Sequence, residues 1–405
     1  MSVVPFKLQV NGYQNYQKVL KEVAKNLPFP APTLFSGPGS SLELCKAIAY
    51  MGTKKLLIVT DAMLIKIGLL DNIKKALEQH KVEYVIYDGV LPDPTFAQVE
   101  AGLTVLKKNK CDAVLAVGGG SSMDAGKLIC ARATNDKPLP KFAGLFKVFK
   151  TILPLFVIPT TAGTGSEVNI AAVVSDPVAH QKIPVMDPKL IPTMAALDGA
   201  LMTGLPPMIT AATGMDALTH AVEAYISANA MPSTDSYALA ATRLIMENLT
   251  NAVKNGQDVE TRQNMAQASY YAGLAFTRAG VGYVHAIAHN FGAYYHTPHG
   301  LANSIVLPHV LDYSKETSMS RLAHLAVISG LQKGKESDQK LADKFIAHIR
   351  AMMKDYNIPE KLEALKKSDI PAIAKAALKE AHFTYAVPKY MDQATCEKLI
   401  SKMMV

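Results

Sequence analysis

The sequence predicts an α/β protein, with a doubly wound and mostly parallel sheet in its N-terminal half and an all-helical C-terminal half, on three observations. Between about 54 and 198, short β-rich runs alternate with helix-length segments, which is the pattern of successive βαβ units. The short runs are apolar almost throughout, as strands covered on both faces are. After Leu205-Pro206-Pro207 the strand-like runs give way to helical periodicity. The boundary falls near 203, giving an α/β dinucleotide-binding domain over 1–203 and a helical metal and substrate domain over 204–405.

The first thirty residues carry little pattern, and Pro28-Phe29-Pro30-Ala31-Pro32 reads as an extended lead-in. KKLLIVT reads as a strand, followed by a helical stretch to His80, the strand VEYVIYDG and a second helix to Lys110. CDAVLAVGG and LPLFVIP complete the sheet signal. In the second half, 211–227, 236–253, 260–276 and the region after Thr317 read as helices. No internal repeat or low-complexity segment interrupts them.

A chain of 405 residues, 49% hydrophobic and 19% charged, is too apolar to be disordered and long enough for about two domains. The 42 basic against 34 acidic side chains give a formal charge of +8, but the excess forms no basic tail or block. Much of it is interleaved with acids between Lys333 and Lys344, a solvated surface that argues against a nucleic-acid partner. Cys45, Cys111, Cys130 and Cys396 lack metal-knuckle or redox-pair spacing, which predicts reduced thiols in the cytoplasm. The N-terminus does not resemble a signal peptide, and no apolar run approaches the roughly 20 residues that span a bilayer.

Two glycine-rich stretches follow predicted strands. Val114–Val117 runs into Gly118-Gly119-Gly120-Ser121-Ser122 and then Met123-Asp124-Ala125-Gly126-Lys127, a strand, a tight turn and a helix start. Glycines let backbone amides approach a phosphate, and the helix N-terminus adds its positive dipole end. The stretch fails the G-x-G-x-x-G fingerprint at Met123 and the phosphate-loop pattern at Leu128, so it reads equally as a bare βα turn. Pro159-Thr160-Thr161-Ala162-Gly163-Thr164-Gly165-Ser166 supplies hydroxyls for phosphate or ribose oxygens, or an ordinary capped turn. Both lie where open α/β sheets bind ligands. Asp61, ending the first strand, could accept from ribose hydroxyls and disfavour a 2′-phosphate, or it could cap the next helix.

Five of the 11 histidines fall between 285 and 309. Asp216 and His220 stand four apart on a predicted helix, so a carboxylate and an imidazole share one face, and His285 and His289 repeat the spacing. His299 falls in an expected turn between Pro298 and Gly300. Such nitrogen and oxygen donors suit divalent Fe, Zn, Co or Mn with positions left open for substrate, and the absence of H-E-x-x-H argues against a zinc protease.

GMDALTHAVEAYIS together with HAIAHNFGAYYHTPHGLANSIVLPH resembles the iron-containing, or group III, alcohol dehydrogenases, within the wider dehydroquinate synthase-like fold. The likeness runs from about Gly37 to at least His309, whereas the last ninety residues match only in being helical. The resemblance implies that Asp216, His220, His285 and His299 bind the catalytic metal, typically Fe2+ with Zn2+ as the alternative. It places His289 beside the site as a proton relay near the nicotinamide. It assigns Gly119, Gly120, Ser121 and Asp124 to the pyrophosphate loop, Thr160, Thr161 and Thr164 to the cofactor cleft and Lys182 to its nicotinamide side. Asp61 matches the position associated with NAD rather than NADP, and Phe276 a substrate-pocket aromatic. Three departures stand out: Asp93 where Asn is common near the cofactor, Asn169 where Thr is usual, and Ala171 where some members place Asn.

The activity so implied is reversible hydride transfer between a primary alcohol or small diol and a nicotinamide, in a homodimer or larger homo-oligomer, with catalysis between the domains. The competing expectations are a zinc-dependent glycerol dehydrogenase or a dehydroquinate synthase-like lyase of the same fold, and a non-catalytic NAD- and metal-binding or assembly protein.

Overall fold

A computed structural model describes residues 5–26, 29–176 and 181–405. The chain runs through α1 (Phe6–Asn26), β1 (Thr33–Ser36), α2 (Ser40–Tyr50), β2 (Lys55–Val59), α3 (Ala62–Lys66), α4 (Asp71–Gln79) and β3 (Glu83–Tyr87). It continues through α5 (Phe96–Lys108), β4 (Ala113–Gly118), α6 (Gly120–Thr134), β5 (Gly144–Leu145), β6 (Leu155–Pro159), β7 (Ala171–Asp176), β8 (Gln181–Met186) and β9 (Met194–Leu197). Helices alone follow: α7 (Pro207–Ile226), α8 (Pro232–Lys254), α9 (Val259–Ala279), α10 (Tyr283–Tyr295), α11 (His299–Ile328), α12 (Asp338–Asp355), α13 (Ile370–Thr384) and α14 (Gln393–Ser401). Of the lead-in expected over 28–32, Pro28 lies outside the described residues and 29–32 carry no regular structure.

The main sheet has the order β1-β9-β6-β4-β2-β3, and every pairing in it is parallel. The period-2 alternation of its strands sorts the apolar residues onto two faces. Leu57, Val59, Val114, Ala116, Leu155 and Val157 pack with Val99 of α5 and Met123 and Leu128 of α6. Leu56, Ile58, Leu115, Val117, Phe156 and Ile158 pack with Leu44 and Ile48 of α2 and Ile73 and Leu77 of α4. Each such side chain contributes roughly 1.5–3 kcal/mol by leaving water, so both faces are held by comparable cores. Local chemistry agrees with the packing: α5 opens on a capping box in which Thr95 and Gln98 satisfy each other's backbone amides.

The chain forms two compact units whose segments interleave along the sequence. One contains the sheet and, besides the residues up to Pro206, takes in Asn255–Gly273. The other is helical and combines α1 with Pro207–Lys254 and Leu274–Val405. In the sheet unit Gln263 donates to Leu197 O at 2.9 Å and accepts from Gly199 N at 2.8 Å, which fastens 255–273 to the end of β9. In the helical unit, Tyr13 of α1 stacks on Tyr390 at 5.7 Å and packs against His382 and Phe383.

Two features depart from the sequence reading. A small second sheet, β5-β8-β7, has an antiparallel β7/β8 pair. It escaped notice because Pro184 interrupts the β8 pattern. His299 does not occupy a turn: it is the first residue of α11, with Pro298 as N-cap and Pro308 inside the helix. The prolines and Gly300 look like breakers in sequence, yet Pro at a helix entrance is compatible with the helix.

Candidate metal centre and nucleotide loops

The helical unit gathers a candidate metal site from three helices. Asp216 and His220 lie one turn apart on α7, His285 belongs to α10 and His299 opens α11. One ligand atom from each of the four lies within 4.8 Å of all the others. Gly300 makes this approach possible, because a Cβ there would collide with Ala212 O of α7, and the same space lies 3.4 Å from Asp216 Cβ. A side chain at 300 would push His299 away from Asp216.

Glu223 and Asn303 aim these ligands. On α7, Asp216, His220 and Glu223 follow an i, i+4, i+7 face. Glu223 accepts from His285 Nδ1 at 2.7 Å and, through its other oxygen, from Val284 N at 2.8 Å. Placing the hydrogen on Nδ1 leaves a lone pair on His285 Nε2, and that buried nitrogen has no hydrogen-bond partner. Asn303, one turn beyond His299, donates to Asp216 Oδ1 at 2.7 Å. His220 is held between rings, stacked at 4.4 Å on Phe276 and 4.5 Å on His285.

Burial pushes the Asp216 carboxyl up to about 7, against the lowering effect of Asn303. It also lifts Glu223 to about 7 and drives His285 well below the ordinary imidazole range. A neutral His285 beside a carboxylate that is costly to ionise is the kind of donor pair a divalent cation satisfies. Three nitrogens, the orphaned His285 Nε2 among them, and one oxygen therefore fit Fe2+ or Zn2+. Among the described residues this is the one cluster with such geometry. His289 stands beside it, its ring parallel to His299 at 5.4 Å, with Nδ1 donating to Glu380 at 2.8 Å.

In the sheet unit the two glycine-rich loops are neighbours. β4 pairs with β6 so that Gly118 faces Pro159, and Thr160 N donates to Gly118 O at 2.9 Å. Thr161 and Thr164 pack over Gly119 and Gly120, where a Cβ at 120 would meet Thr164 Cγ2 at 2.8 Å. α6 begins without a side-chain cap at Gly119, so the positive end of a 15-residue helix lies at the loop. The chain leaves β2 towards β3 but leaves β4 towards β6, so the strand order switches between neighbouring strands. Asp61 and Gly119 sit at the carboxyl ends of those two strands, the usual place for a nucleotide.

Other side chains assigned to the cofactor are already engaged. Asp61 caps α3 through a 3.0 Å bond from Leu64 N. Asp93 adopts a left-handed backbone (φ 56°), donates its N–H to Ser121 Oγ and binds Lys182 Nζ at 2.7 Å. Asp124 accepts from Ser166 Oγ at 2.7 Å and Val173 N at 2.9 Å. Beneath them Lys127, fully buried, contacts Ser166 Oγ, Asn169 O, Asn169 Oδ1 and Ala171 O at 2.7–3.1 Å. Burial pushes its ammonium down to about 8.

Sequence reasoning missed Glu223, Asn303, Glu380 and Lys127. Glu223 and Asn303 could have been found by continuing the helical face from Asp216 and from His299. Glu380 is ninety-one residues from its partner and leaves no local signal.

A nucleotide-type parallel sheet and a cluster of one carboxylate and three imidazoles suit the class of nucleotide- and metal-binding enzymes, and comparison with known proteins gives the family. Residues 31–199 match the description "Iron-containing alcohol dehydrogenase", and residues 210–404 match "Fe-containing alcohol dehydrogenase family, C-terminal". The chain belongs to the iron-containing alcohol dehydrogenase family. It is 39% identical to the NAD-dependent methanol dehydrogenase of Bacillus methanolicus over 354 residues, covering 87% of this chain and 93% of that one. It is 41% identical to the 1,3-propanediol dehydrogenase of Klebsiella pneumoniae over 352 residues, covering 86% and 91%. A crystal structure of 1,3-propanediol oxidoreductase superposes with a TM-score of 0.90 at 37% identity, covering 93% of this chain and 99% of that one.

Proposed function

We propose that the protein is an iron-dependent, NAD-preferring alcohol dehydrogenase that interconverts a primary alcohol or small diol with its aldehyde. The observation that carries this reading is the largely buried cluster of Asp216, His220, His285 and His299, in which His285 Nε2 lacks a hydrogen-bond partner. The methanol and 1,3-propanediol dehydrogenases to which the chain is similar support the substrate class, and the name of the first supports NAD. Iron is supported by the family description, although Zn2+ accepts the same donors.

A divalent metal held by these four residues supplies Lewis acidity, which lowers the pKa of an alcohol and polarises a carbonyl. Glu223 keeps His285 in the tautomer that presents Nε2, and Asn303 fixes the Asp216 carboxylate. His289 has its Nδ1 hydrogen on Glu380, so its Nε2 is the acceptor for the alcohol proton. Phe276, flat against His220, supplies an apolar wall suited to a short carbon chain. Gly119, Gly120 and Ser121 offer the pyrophosphate backbone and hydroxyl donors, with Thr160, Thr161 and Thr164 beside them. Asp124 serves that loop by tying α6 to Ser166 and β7. The Asp61 oxygen not engaged with Leu64 would accept from a ribose hydroxyl, and its charge disfavours NADP. Lys182 would face the nicotinamide side with its charge balanced by Asp93.

The four cysteines are unpaired and buried, and no helix among the described residues is long and apolar enough to cross a membrane. The thiols support a reducing compartment, and a cytoplasmic homo-oligomer completes the proposal.

The test is anaerobic removal of metal with a chelator, separate restoration of Fe2+ or Zn2+, and NAD+ reduction followed by absorbance over a panel of short alcohols and diols. Activity should return with Fe2+. A protein that binds metal and nucleotide yet turns over with neither ion, using NAD+ or NADP+, would overturn the reading.

A further inference from the structure

The last ninety residues contribute directly to the metal side of the site, through a carboxylate that no sequence motif marks. Glu380, on α13, accepts from His289 Nδ1 at 2.8 Å, and the same oxygen, Oε1, accepts from Tyr385 OH at 2.7 Å. Burial and the adjacent Glu380 charge push the Tyr385 phenol well above its ordinary range, so it stays an O–H donor. Two donors converging on one carboxylate oxygen restrict its rotation more than either would alone. The His289 ring is confined on another side by the parallel His299 ring and by His285, edge-on at 5.9 Å.

An imidazole has two neutral tautomers, and the hydrogen bond made by one nitrogen decides what the other can do. A carboxylate accepts and does not donate, so Glu380 places the hydrogen on Nδ1 and leaves the Nε2 lone pair available. We propose that Glu380 is a positioning residue which fixes the ring orientation and Nδ1–H tautomer of His289, and that Tyr385 holds Glu380 in place for that task. This rests on the reading of His289 as the group that takes the alcohol proton. A carboxylate that merely pinned α13 to α10 would not control the tautomer.

The experiment uses the full chain loaded with Zn2+, which is diamagnetic, and 15N-labelled histidine side chains, with the His289 signals identified as those lost in His289→Gln. At a pH of about 8, where neutral imidazole prevails, wild type should show a protonated Nδ1 and an unprotonated Nε2. Glu380→Gln retains an accepting oxygen and should keep that pattern and most of kcat. Glu380→Leu and Glu380→Ser should mix the tautomers, with kcat of the metal-loaded enzyme falling roughly 10- to 100-fold, the size of effect expected from losing an orienting partner. KM and metal content should not change. A wild-type tautomer in either folded variant would overturn the proposal, as would a Glu380→Gln protein as slow as Glu380→Leu. A tautomer shift in a protein whose wild type oxidises no alcohol would keep the positioning role and reject the proposed function.

Discussion

The helical cage and the glycine loops both present polar groups for a ligand, but they differ in what their side chains already do. Around the cage, the supporting groups Glu223 and Asn303 hold His285 and Asp216, the proposed ligands, and burial leaves His285 Nε2 without a hydrogen-bond partner. Around the loops, Asp61, Asp93, Asp124, Lys127 and Ser166 bond to neighbouring protein groups, and what remains on offer is chiefly backbone at Gly119 and Gly120. The cage therefore needs particular side chains as ligands, whereas the loops need side chains as scaffolding that shapes a backbone surface. Substitutions in the first should cost chemistry, and in the second stability.

The largest effect falls on the cage. His220→Ala should abolish metal retention and turnover while circular dichroism reports an intact fold, since the lost ring, stacked between Phe276 and His285, is one of the four proposed ligands. Full activity in a metal-free His220→Ala protein would end the comparison. In the sheet unit, Lys127→Met should do the reverse. It removes the donor to four acceptors, three of them in buried bonds, and the cation beside Asp124 and Glu167, at a cost of about 3–5 kcal/mol in chemical denaturation. Metal content of the folded fraction should be unchanged. A Lys127→Met protein as stable as wild type would show that this network is not the scaffold.

Glu167 gives the same contrast a pH dependence. Burial raises its carboxyl from 4.5 to about 7, so the folded state holds a proton that the unfolded state releases. Its contribution to stability is complete below about 4.5 and is lost as pH rises through about 7, a change of about 3 kcal/mol. Lys127 has the opposite sign in a higher window: its folded value is depressed to about 8, so stability present above 10.5 is lost as pH falls through 8. Glu167→Gln should flatten the acid-side slope alone, measured as the difference in unfolding free energy from wild type across that window. Parallel curves would place the titration elsewhere.

How much of this was legible in sequence follows the same division. The Asp216/His220 and His285/His289 spacings are local, and helix geometry turns them directly into shared faces. The buried strands were legible because an apolar run flanked by turns has few other uses in an α/β unit. His299 was visible as a candidate ligand through the family resemblance but misplaced in a turn, because Gly300 reads as a breaker when it is in fact the contact that lets α11 approach α7. The β7/β8 pair was hidden by Pro184, and α1 by a polar run whose packing residue, Tyr13, meets partners beyond residue 380. Glu380 belongs with these: its role exists only once α10 and α13 are packed together.

The smallest effect, at Asp61, is the most discriminating, because there the two uses of a side chain compete in one residue. Its Oδ1 caps α3, a helix of only five residues, and losing that bond in Asp61→Ala should cost about 1 kcal/mol. Asn caps as well as Asp does, so Asp61→Asn should melt with wild type while removing the charge that disfavours a 2′-phosphate. Titrating NADH and NADPH by their fluorescence into both variants separates the roles. If the carboxylate selects the ribose, Asp61→Asn gains NADPH affinity relative to NADH at constant stability. If the ratio stays at its wild-type value, Asp61 is scaffolding like its neighbours, and NAD preference must come from the backbone surface that the scaffold shapes.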